Sequence, residues 1–166
     1  MQRALILTLT SLMAFVLITS CSNNGHKNML QRLITYDAII DVHPSVVRDS
    51  LQLIDYHDLS RSNRAYYGLL KVISDDKTYV NFTSDSLVNA VSEYYRQHDP
   101  KNRNYIRSLA YQGIVRTRMG VKDSTVFEPL KEAERLLSSL YPPDPSLGYL
   151  VNYFLGNIHY NNRNYS

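Results

Sequence analysis

The chain has 166 residues, of which 44% are apolar and 20% are charged, and its formal net charge is +3. That length allows one globular domain or a row of small helical units, and so small a basic excess does not indicate a nucleic-acid-binding face. The single cysteine excludes an intrachain disulfide framework and a cysteine-based zinc site. Fourteen tyrosines, with four phenylalanines and no tryptophan, are the unusual feature of the composition.

The chain begins with a pattern typical of a secretory signal. Arg3 precedes an apolar stretch over residues 4–18, which is shorter than the roughly 20 residues that a membrane-spanning helix needs. We therefore predict a signal peptide over residues 1–20 rather than an anchor helix. The segment Ile18-Thr19-Ser20-Cys21 resembles the bacterial lipobox. This resemblance implies acylation of Cys21, with chains such as palmitate, and attachment to the membrane on the periplasmic side of the cell envelope. Because Ser22 is not aspartate, the outer membrane is slightly favoured.

The remaining chain divides into a polar segment and a series of amphipathic ones. Residues 21–28 carry no core residue beyond the cysteine, and we predict a flexible tether there. From Met29 onward, apolar residues recur at helical spacing, which predicts seven short helices and an all-α fold over residues 29–166. The residues that mark the seven helices are Leu30, Leu33, Ile34 and Ile40; Val47, Leu51 and Ile54; Tyr66, Leu69, Leu70 and Ile73; Leu87, Val91, Tyr94 and Tyr95; Ile106, Leu109, Ala110, Gly113 and Ile114; Val126, Leu130, Ala133, Leu137 and Leu140; and Leu147, Val151, Phe154 and Ile158.

Helix boundaries are indicated by proline, glycine and capping residues. Pro44 and Asp144-Pro145 each predict a helix start, and Met119-Gly120 predicts a helix end. The polar run over residues 74–77 predicts a break after the third helix, and Pro129 is expected in the first turn of the sixth.

An internal repeat is visible in two of these helices. Leu109-Ala110-Tyr111-Gln112-Gly113 aligns with Asn152-Tyr153-Phe154-Leu155-Gly156. The pattern resembles the tetratricopeptide repeat, which implies packing roles for Gly113 and Gly156 in the first helix of a hairpin and for Ala133 in the second. It also implies antiparallel hairpins stacked as a short α-solenoid. The glycines are 43 residues apart instead of the usual 34, and Arg116 and His159 occupy the position of the expected large aromatic residue.

A broader resemblance covers most of residues 29–165. It includes Ala65-Tyr66-Tyr67-Gly68-Leu69-Leu70, Ser84-Asp85-Ser86-Leu87 and Tyr94-Tyr95. The order of these segments and helices along the chain is similar to that in the periplasmic sensor half of lipid-anchored tetratricopeptide regulators of Gram-negative gut anaerobes. Some members of that family continue into a transmembrane helix and a cytoplasmic DNA-binding domain. We therefore expect the helical-repeat domain to be incomplete at its C-terminus.

No pattern of residues indicates catalysis. The five histidines have no zinc-type spacing, and no serine lies in a Gly-x-Ser-x-Gly elbow. Asp75-Asp76 is consistent with a cation site or, more simply, with a solvated turn. We predict no enzyme, no catalytic residue, no metal and no cofactor.

Binding is the better hypothesis, since tyrosine joins an apolar ring to a hydroxyl group and suits both cores and binding grooves. We predict that five residues line the concave face of the repeat array: Tyr111, Arg116, Tyr153, Asn157 and Tyr160. The alternative is that the tyrosines serve packing alone. The predicted function is a protein or peptide interaction scaffold or sensor module whose partner is unidentified, with no nucleic acid bound. A glycan-binding lipoprotein of an outer-membrane sugar importer and a non-functional fragment of a membrane-spanning transcriptional regulator remain alternatives.

Overall fold

A computed structural model describes residues 25–163 of the chain, and side chains up to residue 160. This part of the chain forms seven α-helices and contains no strand, which confirms the predicted all-α fold. The predicted signal peptide and Cys21 lie outside the described residues. The helices are α1 (residues 25–39), α2 (Pro44–Gln52), α3 (Arg61–Lys77), α4 (Ser86–His98), α5 (Arg103–Arg118), α6 (Ser124–Leu137) and α7 (Pro145–Arg163), with a 3₁₀ turn at Tyr56–Asp58.

Side chains cap several helix starts, as their residue types suggest. The Oγ of Ser60 accepts a hydrogen bond from the backbone N–H of Asn63 at 3.3 Å. Asp123 and Asp144 accept in the same way at the starts of α6 and α7, each at 2.9 Å. These bonds satisfy N–H groups that have no partner within the first turn of a helix. The predicted helix starts at Pro44 and Asp144-Pro145 are confirmed.

The predicted break at residues 74–77 is wrong, because α3 continues to Lys77. Two polar side chains in this run are buried and find partners one turn earlier in the same helix. Ser74 donates to the carbonyl of Lys71 at 3.0 Å, and Asp75 pairs with the Lys71 ammonium at 2.6 Å. Polar residues satisfied within the helix do not interrupt it.

The predicted tether is also too long, since residues 25–28 belong to α1. The amide of Asn63, which is only 3% exposed, donates to the carbonyl of His26 at 3.2 Å. This bond joins the first described turn of α1 to α3. The tether was predicted from the polar residues of this segment alone, and the polarity of a segment does not reveal a hydrogen-bond partner 37 residues away.

The predicted position of Pro129 in the first turn of its helix is wrong. The residue is the sixth of α6. A proline there leaves the carbonyl four residues earlier without its helical donor. That carbonyl belongs to Thr125, and it accepts a hydrogen bond of 2.7 Å from Nη1 of Arg116 in α5. The helix therefore continues through the proline because a neighbouring helix supplies the missing donor.

The helices pack in chain order around one hydrophobic core. From α2 to α7 each helix contacts the next, and α3 with α5 and α5 with α7 are also in contact. The central helix is α5, which is buried from Tyr105 to Val115 except at Gln112. Leu30 and Ile34, predicted to mark the core side of α1, are each 43% exposed, whereas Leu33 and Ile40 are fully buried. None of the described helices is long and apolar enough to cross a membrane.

Candidate interaction surface

Three odd-numbered helices carry a glycine inside the helix. In α3 and α5 it ends the pattern Ala-Tyr-x-Gly, at Ala65–Gly68 and Ala110–Gly113, whereas in α7 Gly156 follows Tyr153-Phe154-Leu155. A Cβ atom at Gly68 would lie 2.7 Å from Cγ2 of Val91 in α4. At Gly113 it would lie 2.5 Å from Cγ of Leu130 in α6 and 2.8 Å from the carbonyl oxygen of Val126. Each of these two glycines therefore allows the following helix to approach closely.

Gly156 differs from the other two glycines. Nothing lies within 4 Å of a Cβ atom placed there. The packing role predicted for Gly113 is seen, and Ala133 is fully buried in α6, but no described residue packs against Gly156. Among the described residues, no helix lies beside Gly156 as α4 lies beside Gly68 and α6 beside Gly113.

The side of α7 that carries Gly156 is exposed and aromatic. Tyr149, Tyr153 and Tyr160 are 73%, 53% and 69% exposed, and Asn157 beside them is also exposed. The rings of Tyr149 and Tyr153 lie nearly parallel, with centroids 6.2 Å apart. Residues 145–162 contain no aspartate, glutamate, lysine or arginine. We call Tyr149, Tyr153, Gly156, Asn157 and Tyr160 the open face of α7.

Tyr111 was predicted to line an accessible surface, and this is wrong because it belongs to the core. Its side chain is only 2% exposed, and α5 is covered by neighbouring helices on both sides. Burial raises its pKa well above the usual value for tyrosine. The ring fills space between helices. For Tyr111, the alternative interpretation that the tyrosines serve packing alone is therefore the correct one.

Arg116 was also predicted to meet a ligand, but its guanidinium is occupied by the protein itself. Nε donates to Asp85 at 2.8 Å, Nη1 to the Thr125 carbonyl at 2.7 Å and Nη2 to Asn89 at 3.0 Å. The hydrogen bonds from Arg116 and Asn89 hold the pKa of Asp85 below its ordinary value. Arg116 therefore joins α4, α5 and α6. The structure thus leaves Tyr153, Asn157 and Tyr160 together on the surface and separates them from Tyr111 and Arg116.

A partly buried polar cluster connects the odd-numbered helices, and sequence reasoning did not find it. Asp37 of α1 accepts hydrogen bonds from Nη1 of Arg107 in α5 at 2.6 Å and from the hydroxyl of Tyr66 in α3 at 2.8 Å. Arg103, also in α5, lies 3.7 Å from Asp37 and 2.5 Å from Asp144, the cap of α7. We call these five residues the charged seam.

The pKa values of two members show how the seam is held. Burial first and Asp37 second raise the pKa of Tyr66 strongly, because a tyrosinate there would be desolvated beside a carboxylate. Burial alone would raise the pKa of Asp144, but the Leu147 N–H and Arg103 outweigh it and lower that pKa. The hydrogen bond between Arg107 and Asp37 joins residues 70 positions apart, so no local sequence signal could have revealed the seam.

Asp75 and Asp76 do not converge on a cation site. Asp75 pairs with Lys71, whereas Asp76 pairs with Arg118 of α5 at 2.8 Å. The second oxygen of Asp75, Oδ1, is buried and has no hydrogen-bond partner among the described residues. No group of three or more histidine, cysteine, aspartate or glutamate side chains suited to a metal ion occurs in the described part of the chain.

Comparisons with models of protein families, with curated proteins and with solved structures gave no match. The geometry described above therefore carries the functional argument.

Proposed function

We propose that this chain is a lipid-anchored helical-repeat protein of the cell envelope, and that it acts as a scaffold or sensor module for a protein or peptide partner. The observation that carries the proposal is the open face of α7. It combines three exposed tyrosines and an uncovered glycine on a stretch, residues 145–162, that has no aspartate, glutamate, lysine or arginine. Tyrosine is enriched in binding surfaces because it buries a large ring at little entropic cost and keeps a hydroxyl for hydrogen bonding.

The proposed architecture is a short tetratricopeptide-like α-solenoid. Its support is the repeated glycine context and the way in which Gly68 and Gly113 admit the next helix. Direct contacts of α3 with α5 and of α5 with α7 are consistent with a layer of first helices, which in such arrays lines the binding groove. The open face of α7 lies at one end of this layer.

The proposed anchor is the acylated Cys21. Its support is the lipobox-like segment after the apolar stretch over residues 4–18. A diacylglycerol and an N-acyl chain contribute about 0.8 kcal/mol per buried methylene group, which gives stable membrane attachment. Metabolic labelling of the full chain with an alkynyl palmitate in a Gram-negative host tests it. We expect labelled wild type and unlabelled Cys21→Ser, and an unlabelled wild type would contradict the anchor.

The partner is tested by affinity capture from a cell-envelope extract. We expect the wild-type chain to retain a protein that the double variant Tyr153→Ser/Tyr160→Ser loses. The matched control is Tyr79→Asn, since Tyr79 is 91% exposed on the loop between α3 and α4, far along the chain from α7. Equal retention by all three proteins, or no retained protein, whether a second copy of the chain or another protein, would refute the scaffold function.

Glycan binding is a second candidate for the same face. The stacked rings of Tyr149 and Tyr153 are both more than half exposed and offer apolar ring surface and hydroxyl groups to a sugar, and the exposed Asn157 adds an amide on the same face. Binding to a glycan array that disappears in Tyr149→Ser/Tyr153→Ser would support this candidate. An array without signal would exclude it and would leave the protein scaffold untouched.

A further inference from the structure

We infer that the open face of α7 binds α1 of a second copy of this chain, head to tail. The head is the exposed side of α1 and the tail is the open face of α7. The proposed pairing rests on the proposed function, because it assigns a partner to the same face. It names the residues on both sides, with Gly156 and its flanking tyrosines in one copy and Leu30 and Ile34 in the other.

The first argument is what the equivalent glycines receive inside the chain. Gly68 is covered by Leu87 and Val91 of α4, and Gly113 by Val126 and Leu130 of α6. In both cases the covering residues are two branched aliphatic residues four positions apart, which places them one above the other on a helix. Leu87, Val91 and Leu130 cover the glycine with their side chains, and Val126 does so with its backbone carbonyl. A helix that continues this series at Gly156 needs the same pair.

The second argument is that α1 presents such a pair to solvent. Leu30 and Ile34 are four positions apart and each is 43% exposed, while Leu33 on the adjacent side of α1 is fully buried. Val42 and Val46 have the same spacing and are also exposed, but Pro44 starts α2 between them, so they do not share a helix. Among the described helices, α1 therefore offers the aliphatic pair that matches the uncovered glycine.

The third argument is charge. The α7 side of the contact has no charged residue between positions 145 and 162, and α1 has no acidic residue between positions 25 and 36. Lys27 lies one turn before Leu30 on α1. A lysine ammonium is attracted to the face of a tyrosine ring, so the contact brings together aliphatic, aromatic and cationic groups without burying an unpaired carboxylate.

Because the two surfaces are different, the contact is heterologous, and a pair of copies keeps one free head on one copy and one free tail on the other. Self-association should therefore grow with concentration instead of stopping at a symmetric dimer. This property separates the proposed contact from an α7-to-α7 contact, which would bury the same face in both copies.

Light scattering on the purified full chain in detergent tests the pairing. Gly156→Leu blocks the tail, and the space around Gly156 allows it without a clash inside the monomer. Ile34→Glu blocks the head at an exposed position. Gly148→Ala is the matched control, because its Cβ would sit in ordinary contact, 4.0 Å from Leu137, away from the open face. The N-terminal apolar segment is identical in all samples.

We expect the particle mass of wild type and Gly148→Ala to rise with concentration, and each blocked variant alone to show only the monomer mass. A mixture of the two blocked variants should form a dimer and grow no further. The intact head of Gly156→Leu binds the intact tail of Ile34→Glu, and the two remaining surfaces are both blocked. A wild type that stays monomeric overturns the pairing, and so does Ile34→Glu that still self-associates. If the chain is monomeric yet captures an envelope protein through Tyr153 and Tyr160, the pairing fails and the scaffold function stands.

Discussion

At the scale of single residues, Arg116 shows how a helical protein accommodates a proline inside a helix. Pro129 removes the donor that the Thr125 carbonyl would have in a regular helix, and Arg116 supplies another from a different helix. The same guanidinium donates to Asp85, the residue before α4, and to Asn89 within α4. One side chain thus supplies the donor that the proline removes and joins α5 to both α4 and α6.

Arg116→Met should lower the free energy of unfolding by about 2–3 kcal/mol, because hydrogen bonds to a charged group are lost and the Thr125 carbonyl is left without a donor. Pro129→Ala restores the backbone N–H for that carbonyl. In the Pro129→Ala background the same arginine substitution should therefore cost about 1 kcal/mol less. Urea denaturation of the four proteins measures this coupling, and purely additive effects would show that Arg116 does not serve the Thr125 carbonyl.

The ends of α3 and α5 offer a matched pair of residues with left-handed backbone. Gly120 follows α5 at φ +78°, whereas Tyr79 follows α3 at φ +58°. In each case the next residue's N–H bonds a carbonyl five positions earlier, Val80 to Asp75 and Val121 to Arg116. Glycine adopts this conformation without strain, and other residues are disfavoured by about 1 kcal/mol.

Tyr79→Gly should therefore raise the free energy of unfolding by about 1 kcal/mol, and Gly120→Ala should lower it by a similar amount. The Tyr79 ring is 91% exposed, so its removal costs little packing. Thermal denaturation followed by circular dichroism gives both values, and a destabilised Tyr79→Gly would contradict the strain argument.

At the scale of helices, the sequence predicted what local periodicity controls and missed what distant partners decide. The number and type of helices, the start of α7 at Asp144-Pro145 and the glycine packing in α5 follow from spacing and capping. The equivalence of Gly68 to Gly113 was overlooked, although the shared alanine and tyrosine before each glycine could have revealed it. The charged seam and the true position of Pro129 could not be foreseen, since both depend on arginines brought from other helices.

Gly68, Gly113 and Gly156 should respond differently to the same substitution. Gly113→Ala should destabilise by about 2–3 kcal/mol, because the new methyl group meets the Val126 carbonyl as well as Leu130. Gly68→Ala meets only side chains, which can shift, so a loss of about 1 kcal/mol is expected. Gly156→Ala should stabilise by up to about 1 kcal/mol through helix propensity alone.

Chemical denaturation of the three single variants measures this order. Equal effects at Gly68, Gly113 and Gly156 would show that helix propensity, and not close packing of the next helix, controls these sites. A destabilised Gly156→Ala would mean that the open face is covered within the monomer.

At the scale of the whole molecule, the charged seam spans all four odd-numbered helices. Arg107 is 5% exposed, so its charge depends on Asp37 for compensation. Breaking a buried ion pair from one side is strongly destabilising, since the remaining charge has no partner. The seam therefore sets the relative position of α1, α3 and α5 more sharply than apolar contacts could, because ion pairs and hydrogen bonds are directional.

The buried tyrosines give the molecule a predictable response to alkali. Burial raises the pKa of Tyr95 to about 12, and the pKa values of Tyr66 and Tyr111 are raised too. In the unfolded chain all three ionise near pH 10. A group whose pKa is raised by folding stabilises the folded state fully below the unfolded value, and the contribution is lost as pH rises through the folded value.

We therefore expect stability to be maintained up to about pH 10 and to fall between about pH 10 and 12. Ultraviolet absorbance of tyrosinate should show the exposed tyrosines ionising first and the buried ones together with the loss of helical circular dichroism. Asp37→Asn removes the carboxylate beside Tyr66 and should allow that residue to ionise at lower pH, whereas the exposed Asp49→Asn should not. If all tyrosines ionised in one step near pH 10 with the helices intact, Tyr66, Tyr95 and Tyr111 would have to be accessible to water, and α3, α4 and α5 would not enclose one core.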